Sequence, residues 1–166
     1  MKFFLTVGTQ LPFDRLVRAV DDWVGAAGRT KIEMFGQIGD VSQASYTPKN
    51  FDWTEFLEPD EFADRFAAAT HVIAHAGMGT IISALMAGKP ILILPRRASL
   101  EEQRNDHQLS TVDKFAGRPG VYAVLHEREV HEALSNMNRP HLLDNARVPD
   151  LADRSLTDAI RNEIMA

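Results

Sequence analysis

Between His71 and Gln108 the sequence runs HVIAHAGMGTIISALMAGKPILILPRRASLEEQRNDHQ, and few folds can hold that order of patterns. A short apolar run leads into a glycine-bearing turn, Ala76-Gly77-Met78-Gly79-Thr80. The turn opens an apolar helical stretch that Gly88-Lys89-Pro90 stops before a second apolar run, Ile91–Leu94. Apolar runs this short, bounded by glycine and proline and separated by a helix length, read as buried strands joined by a crossover. A helix that starts at glycines leaves its first backbone N–H groups open and points the positive end of its dipole outward, which suits an anion. A polar group, Asn105-Asp106-His107-Gln108, follows the second strand, on the edge where open α/β sheets bind ligands.

The alternation extends along the chain. Strands are expected at Lys2–Val7, Lys31–Phe35, Phe51–Leu57, Val72–Ala74, Ile91–Leu94 and Val121–Val124. Helices are expected at Pro12–Ala27, with Leu16, Val17, Val20, Trp23 and Val24 on one face, at Glu58–Ala69, Thr80–Ala87 and Arg104–Phe115, and over Glu127–Met137 and about Val148–Ile164. Gly36–Asn50 reads as a loop with room for a short strand. Strands alternating with helices imply an α/β fold, a Rossmann-like parallel sheet with helices on both faces. No repeat or composition shift divides the 166 residues, so the expectation is a single domain over 1–166 with a helical C-terminal tail from about 127.

Composition excludes several classes. There is no cysteine, hence no disulfide framework and no thiolate chemistry. The net charge of −5 argues against a nucleic-acid partner. The apolar runs are too short to span a bilayer, and Gly8 interrupts Met1–Val7 before a signal core is complete, so a soluble, cytoplasmic protein is expected.

The candidate residues each carry two readings. Gly77-Met78-Gly79-Thr80 suits a phosphate cradle, with Thr80 adding a hydroxyl, but glycines also serve tight strand-to-helix packing. Gly8-Thr9-Gln10 follows the first strand and falls on the same sheet edge, so the two turns could approach one diphosphate from either side. His75 ends the strand before the glycine turn; it is either a hydrogen-bonded structural residue or a contributor to catalysis. His71 lies four residues earlier on the same strand face, yet nothing completes a metal set, and no metal is expected. Asn105 to Gln108 suit sugar hydroxyls, and Asn105 or Asp106 suits a helix cap as well. Glu101-Glu102 reads as a solvated loop. Arg96 and Arg97 keep an NADP-dependent oxidoreductase open as an alternative, although Ile82 replaces the third glycine of the dinucleotide fingerprint. A non-catalytic nucleotide-binding module is the third reading.

Taken together, His75-Ala-Gly-Met-Gly-Thr80, Ala87-Gly-Lys-Pro90, the strand ending at Pro95 and Asn105-Asp-His-Gln108 resemble the C-terminal, donor-binding domain of glycosyltransferase family 28. Thr6-Val-Gly-Thr9 with Phe13-Asp14 is similar to the first motif of its small-subunit members, which include a subunit of the two-component dolichol-pathway N-acetylglucosaminyltransferase and bacterial exopolysaccharide and capsule subunits. Thr54-Glu-Phe-Leu57 resembles the segment before the nucleotide site in the transferase that completes lipid II. The resemblance covers about residues 1–135.

It implies one half of a GT-B enzyme and inverting transfer of a hexose from a UDP-sugar to a lipid-linked glycan. The UDP-sugar is then the donor substrate, with no separate cofactor. It further implies a membrane-anchored acceptor-binding subunit, which would hold the chain at the inner face of the membrane. By the same resemblance Gly8, Thr9, Gln10 and the backbone of Ala76–Thr80 face the diphosphate, and the backbone near Leu57, with Phe62, holds the base. His107 and Gln108, with Asn105 and Asp106 beside them, face the sugar. Ser83 stands where many relatives place a ribose-binding glutamate; its hydroxyl cannot match the paired acceptance of a carboxylate.

Overall fold

The structure is a computed structural model and describes residues 1–28, 32–43 and 46–137. Six strands, β1 (Lys2–Thr6), β2 (Glu33–Gln37), β3 (Asp52–Thr54), β4 (His71–His75), β5 (Ile91–Leu94) and β6 (Val121–Ala123), form one sheet in the order β3-β2-β1-β4-β5-β6. Every pairing is parallel, with Leu5 beside both Gly36 and Ile73, and Ile73 beside Leu92. The helices are α1 (Asp14–Ala27), α2 (Pro59–Ala68), α3 (Met78–Met86), α4 (His107–Phe115) and α5 (Val130–Met137). Short 3₁₀ turns cover Ala98–Leu100 and Glu127–Glu129. This is the doubly wound Rossmann-like arrangement that the alternating pattern implies.

The two-residue period of the strands divides the core into two layers. Leu5, Ile73, Leu92 and Leu94 meet Leu16, Val17, Val20, Trp23 and Val24 of α1 and Leu134 and Met137 of α5. Val72, Ala74, Ile91 and Ile93 point the other way, onto Ile81, Ala84 and Leu85 of α3 and Val112 of α4. Leu5, Ile73, Ile91, Leu92, Ile93 and Leu94 are fully buried, the condition for strands covered on both faces.

Several boundaries differ from the sequence expectation, each for a local reason. β3 is three residues long instead of reaching Leu57; Thr54 Oγ1 donates back to the carbonyl of Phe56, and Pro59 opens α2. β2 lies two residues later than expected, and its alignment with β3 is prolonged when Ile38 and Gly39 donate to the carbonyls of Thr54 and Glu55. α1 begins at Asp14 instead of Pro12, α3 begins at Met78 instead of Thr80, and α4 begins at His107 instead of Arg104. The expected Glu127–Met137 helix is a 3₁₀ turn followed by α5. The helix expected at about Val148–Ile164 and its linker lie outside the described residues. Among the described residues no helix is long and apolar enough to cross a membrane.

A buried carboxylate ties the chain before β3 to α1. Asp21 is 1% exposed and accepts the Tyr46 hydroxyl at 2.7 Å and the N–H groups of Lys49 and Asn50 at 3.0 and 2.7 Å. Asp21→Ala removes the acceptor these three donors share, and an unsatisfied buried polar group costs about 1–3 kcal/mol. The variant is expected to lose about 2–4 kcal/mol in urea unfolding; a loss under roughly 0.5 kcal/mol would show that the anchor is not needed.

Candidate functional site

β1 and β4 lie side by side at the centre of the sheet, and the chain leaves them in opposite directions. After β1 it passes to α1 on one face; after β4 it passes to α3 on the other. The crevice between diverging connections is where open α/β sheets bind ligands. A cavity of about 600 Å³ occupies it, walled by Gly8–Leu11, Gln37, Leu57, Pro59, Phe62, His75, Gly77, Gly79, Thr80 and residues of the β5–α4 connection.

The two turns close on the ring of His75. Gly8 has φ +83°, and a Cβ there would stand 2.9 Å from His75 Cε1. A Cβ on Gly77 would overlap His75 Nε2. Both positions therefore require glycine for space, and Gly8 for conformation as well. Burial, and then the charge of Arg96, push the His75 pKa down to about 4, and its Nδ1 is buried without a hydrogen-bond partner. The ring is neutral at physiological pH. Its low pKa makes it a weak acceptor for a hydroxyl proton, which removes the reason for expecting His75 to be a general base.

At the neighbouring helix the open donors are fewer than the sequence suggested. Ala76 N–H completes the ladder to Leu94 O at 3.0 Å, and Gly77 N–H bonds His75 O at 2.7 Å. The first intrahelical bond of α3 runs from Ile81 N–H to Gly77 O at 3.2 Å. The N–H groups of Met78, Gly79 and Thr80 thus have no carbonyl partner within the helix. Gly79 has nothing within 4 Å of its would-be Cβ, so its bare backbone borders open space. The Met78 side chain points to solvent, 49% exposed, and does not line the cavity.

On the β2–β3 side, a residue the motif reading missed organises the wall. Gln37 is 3% exposed; its Nε2 donates to Gly8 O at 3.4 Å and its Oε1 accepts Leu57 N–H at 3.1 Å. The Leu57 N–H is therefore committed to Gln37 and not free for a ligand. Phe62 lines the cavity edge-on to Phe4, with ring centroids 5.3 Å apart.

The β5–α4 connection is a built loop, not a run of solvated groups. Glu102 accepts Arg15 Nε and Nη2 at 2.9 and 2.8 Å and Arg97 N–H at 3.0 Å, and it lines the cavity. Asp106 Oδ1 accepts Ala98 N–H at 2.8 Å, and Asn105 Oδ1 bonds the N–H and Nδ1 of His107. Neither Asn105 nor Asp106 reaches the cavity wall, and neither caps Gln108; both brace the loop that presents His107 and Gln108. Gln108 is 2% exposed, and its Oε1 accepts Arg96 N–H at 3.0 Å. Ala76 is buried and Ser83 is exposed on α3, and neither lines the cavity.

The arginines do not form a 2′-phosphate site. Arg96 is 3% exposed, with both terminal nitrogens donated to backbone carbonyls, and burial pushes its pKa down to about 10. Arg97 Nη2 bonds Leu125 O at 2.9 Å, away from the cavity. The observation that kept the NADP reading open is gone. Among the described residues no group of three or more histidine, cysteine or carboxylate side chains is placed to hold a metal ion.

The sequence profile of the glycosyltransferase family 28 C-terminal domain matches residues 3–161. The chain belongs to this glycosyltransferase family. Solved structures similar to this family 28 domain include MurG of Acinetobacter baumannii, with 18% identity and a TM-score of 0.63, covering 98% of this chain and 49% of that one. ALG13 is similar with 16% identity and a TM-score of 0.60, covering 96% of this chain and 94% of that one. The kitacinnamycin glycosyltransferase gives 16% identity and a TM-score of 0.63, covering 88% of this chain and 37% of that one. At these identities the likeness establishes the fold, that of GT-B glycosyltransferases. The family 28 domain spans half or less of the kitacinnamycin enzyme and MurG, but nearly all of ALG13. No curated protein matches significantly in sequence.

The buried neutral His75 carries a pH consequence. Its pKa is about 4 in the fold against 6.5 ordinarily, so in that interval the unfolded chain binds the proton and the fold does not. Stability is complete above about pH 6.5 and falls as pH drops towards 4, by at most about 3 kcal/mol. His75→Gln is expected to flatten this part of the pH–stability profile. An unchanged profile would contradict the burial of a neutral ring.

Proposed function

We propose that this domain binds a UDP-sugar and is the donor half of an inverting hexosyltransferase acting on a lipid-linked glycan, in exopolysaccharide or capsule synthesis. One observation carries the reading: Gly79 and Thr80, whose N–H groups are open at the start of α3, and the Gly8–Gln10 turn line one cavity at the sheet's switch point. A diphosphate suits that place, because helix N-terminal donors and the helix dipole both favour negative charge. The same donors would stabilise the charge that grows on the leaving UDP as the glycosidic bond breaks. The base and ribose fall towards Leu57 and Phe62, and the sugar towards His107 and Gln108, which line the other side of the cavity.

The acceptor's hydroxyl must lose a proton, and with His75 a weak base the general base comes from a second subunit. That subunit also supplies the acceptor site and a membrane anchor, placing this chain at the cytoplasmic face of the membrane. Support comes from the likeness to ALG13, of which the chain covers 94%.

Gly79→Val tests the site without threatening the fold, since its side chain meets no protein atom within 4 Å at the Cβ. Calorimetry is expected to give UDP binding by the natural chain and a loss of about tenfold or more in the variant, because the side chain occupies the ground a phosphate needs. Equal affinity in the two proteins would contradict the assignment. Alone, the chain is expected to transfer no sugar to a lipid-linked acceptor; efficient transfer by the isolated chain would overturn the two-subunit reading.

A further inference from the structure

The segment Val7–Pro12 crosses one side of the cavity as an arch that belongs to neither strand nor helix. Its carbonyls are gathered inward. Arg96 Nη2 donates to Val7 O at 2.8 Å and to Leu11 O at 2.5 Å; Nη1 donates to Pro12 O at 2.7 Å and to Glu102 O at 3.2 Å. Gln37 Nε2 holds Gly8 O. Between these pins Thr9 and Gln10 are exposed, line the cavity, and make no hydrogen bond among the described residues.

We propose that Arg96 is the positioning residue of the diphosphate site, shaping the Val7–Pro12 arch so that the Thr9–Gln10 backbone is presented to the phosphates, without touching them itself. The inference rests on the UDP reading above. A guanidinium has five N–H donors, and here its four terminal ones meet four carbonyls, so no terminal donor is left for a ligand. Carbonyl dipoles from three residues of one loop, pointed at a common centre, repel one another unless a cation lies between them. The planar fork of arginine can satisfy all of them at once; a lysine ammonium has three donors in another geometry. The residue is held on two more sides. Its Cζ stands 4.7 Å from the ring centroid of Phe13, and its backbone N–H donates to Gln108 Oε1 at 3.0 Å. Arg96 thereby couples the β5 end to the β1 end across the crevice, and its charge lies in the cavity wall, where it favours a dianionic ligand over a neutral one.

The test compares UDP with uridine, which has the same base and ribose but no phosphate, on the full chain and its Arg96→Met and Arg96→Lys variants. With Arg96→Met, UDP affinity is expected to fall by about tenfold or more while uridine affinity stays within about twofold, and Arg96→Lys is expected to recover only part of the loss. Equal loss for both ligands, or full recovery by lysine, would overturn the positioning role; so would unchanged UDP affinity in a folded Arg96→Met. Should the variants not fold, NMR of the natural chain decides. The Arg96 η protons are expected to stay protected from exchange when UDP is added, and their release would mean that Arg96 leaves the arch for the phosphates. Failure of the natural chain to bind UDP would overturn the nucleotide reading itself and this inference with it.

Discussion

The parallel pairing of β1 with β4 is the constraint on which the rest depends. Phe3 to Thr6 lie in register with His71 to Ala74, so both strands end at the same level and both following connections must start there. One goes to α1 and the other to α3, on opposite faces, and the gap they leave cannot be filled by either. Glycine at positions 8 and 77 lets the two connections approach within contact of one imidazole ring. The core beneath is shut: Leu5, Ile73, Leu92 and Ile93 have no exposed surface. A close-packed interior of this kind has low compressibility and holds the strand ends from which the crevice opens.

The wall of that crevice is held by polar groups, which is unusual ground for a core. Of the buried polar side chains, Thr6, Gln37, Arg96 and Gln108 all line the cavity. Burying such groups is costly unless they are hydrogen-bonded, and Gln37, Arg96 and Gln108 each bond the backbone of a loop instead of another side chain. Gln37 joins the loops after β1 and β3; Arg96 joins those after β1 and β5; Gln108 joins α4 to the loop after β5. Loops carry the site, and these residues give the loops the definition that strands receive from their ladders.

Much of the fold was legible in the sequence because the hydrophobic period is local. Ile91–Leu94 is a strand where four aliphatic residues stand between proline brackets, and the face of Leu16, Val17, Val20, Trp23 and Val24 is the buried face of α1. The glycine turn and its place beside Gly8 were likewise readable, since both follow apolar runs. What the sequence concealed were the partners of polar groups. Asn105 and Asp106 have the chemistry of sugar ligands, yet their carbonyl and carboxyl oxygens are committed within the loop. Glu102 looks solvated until Arg15 meets it from α1, eighty-seven positions away. Arg96 suggested a phosphate contact, and only the fold brings Val7, Leu11 and Pro12 to it. Long-range pairing of this sort leaves no periodic trace, and a lone buried glutamine such as Gln37 leaves none at all.

On the proposed reading a diphosphate sits between the β1 arch and the first turn of α3. A crystal structure of the chain grown with UDP tests it directly. The account predicts phosphate oxygens within hydrogen-bond reach, about 2.7–3.2 Å, of N–H groups in Met78–Thr80, with the Thr9–Gln10 backbone on the other side and Arg96 still bonded to the arch. UDP found with its phosphates turned away from α3, or lodged in a different groove such as that between Tyr122 and Ala133, would contradict it.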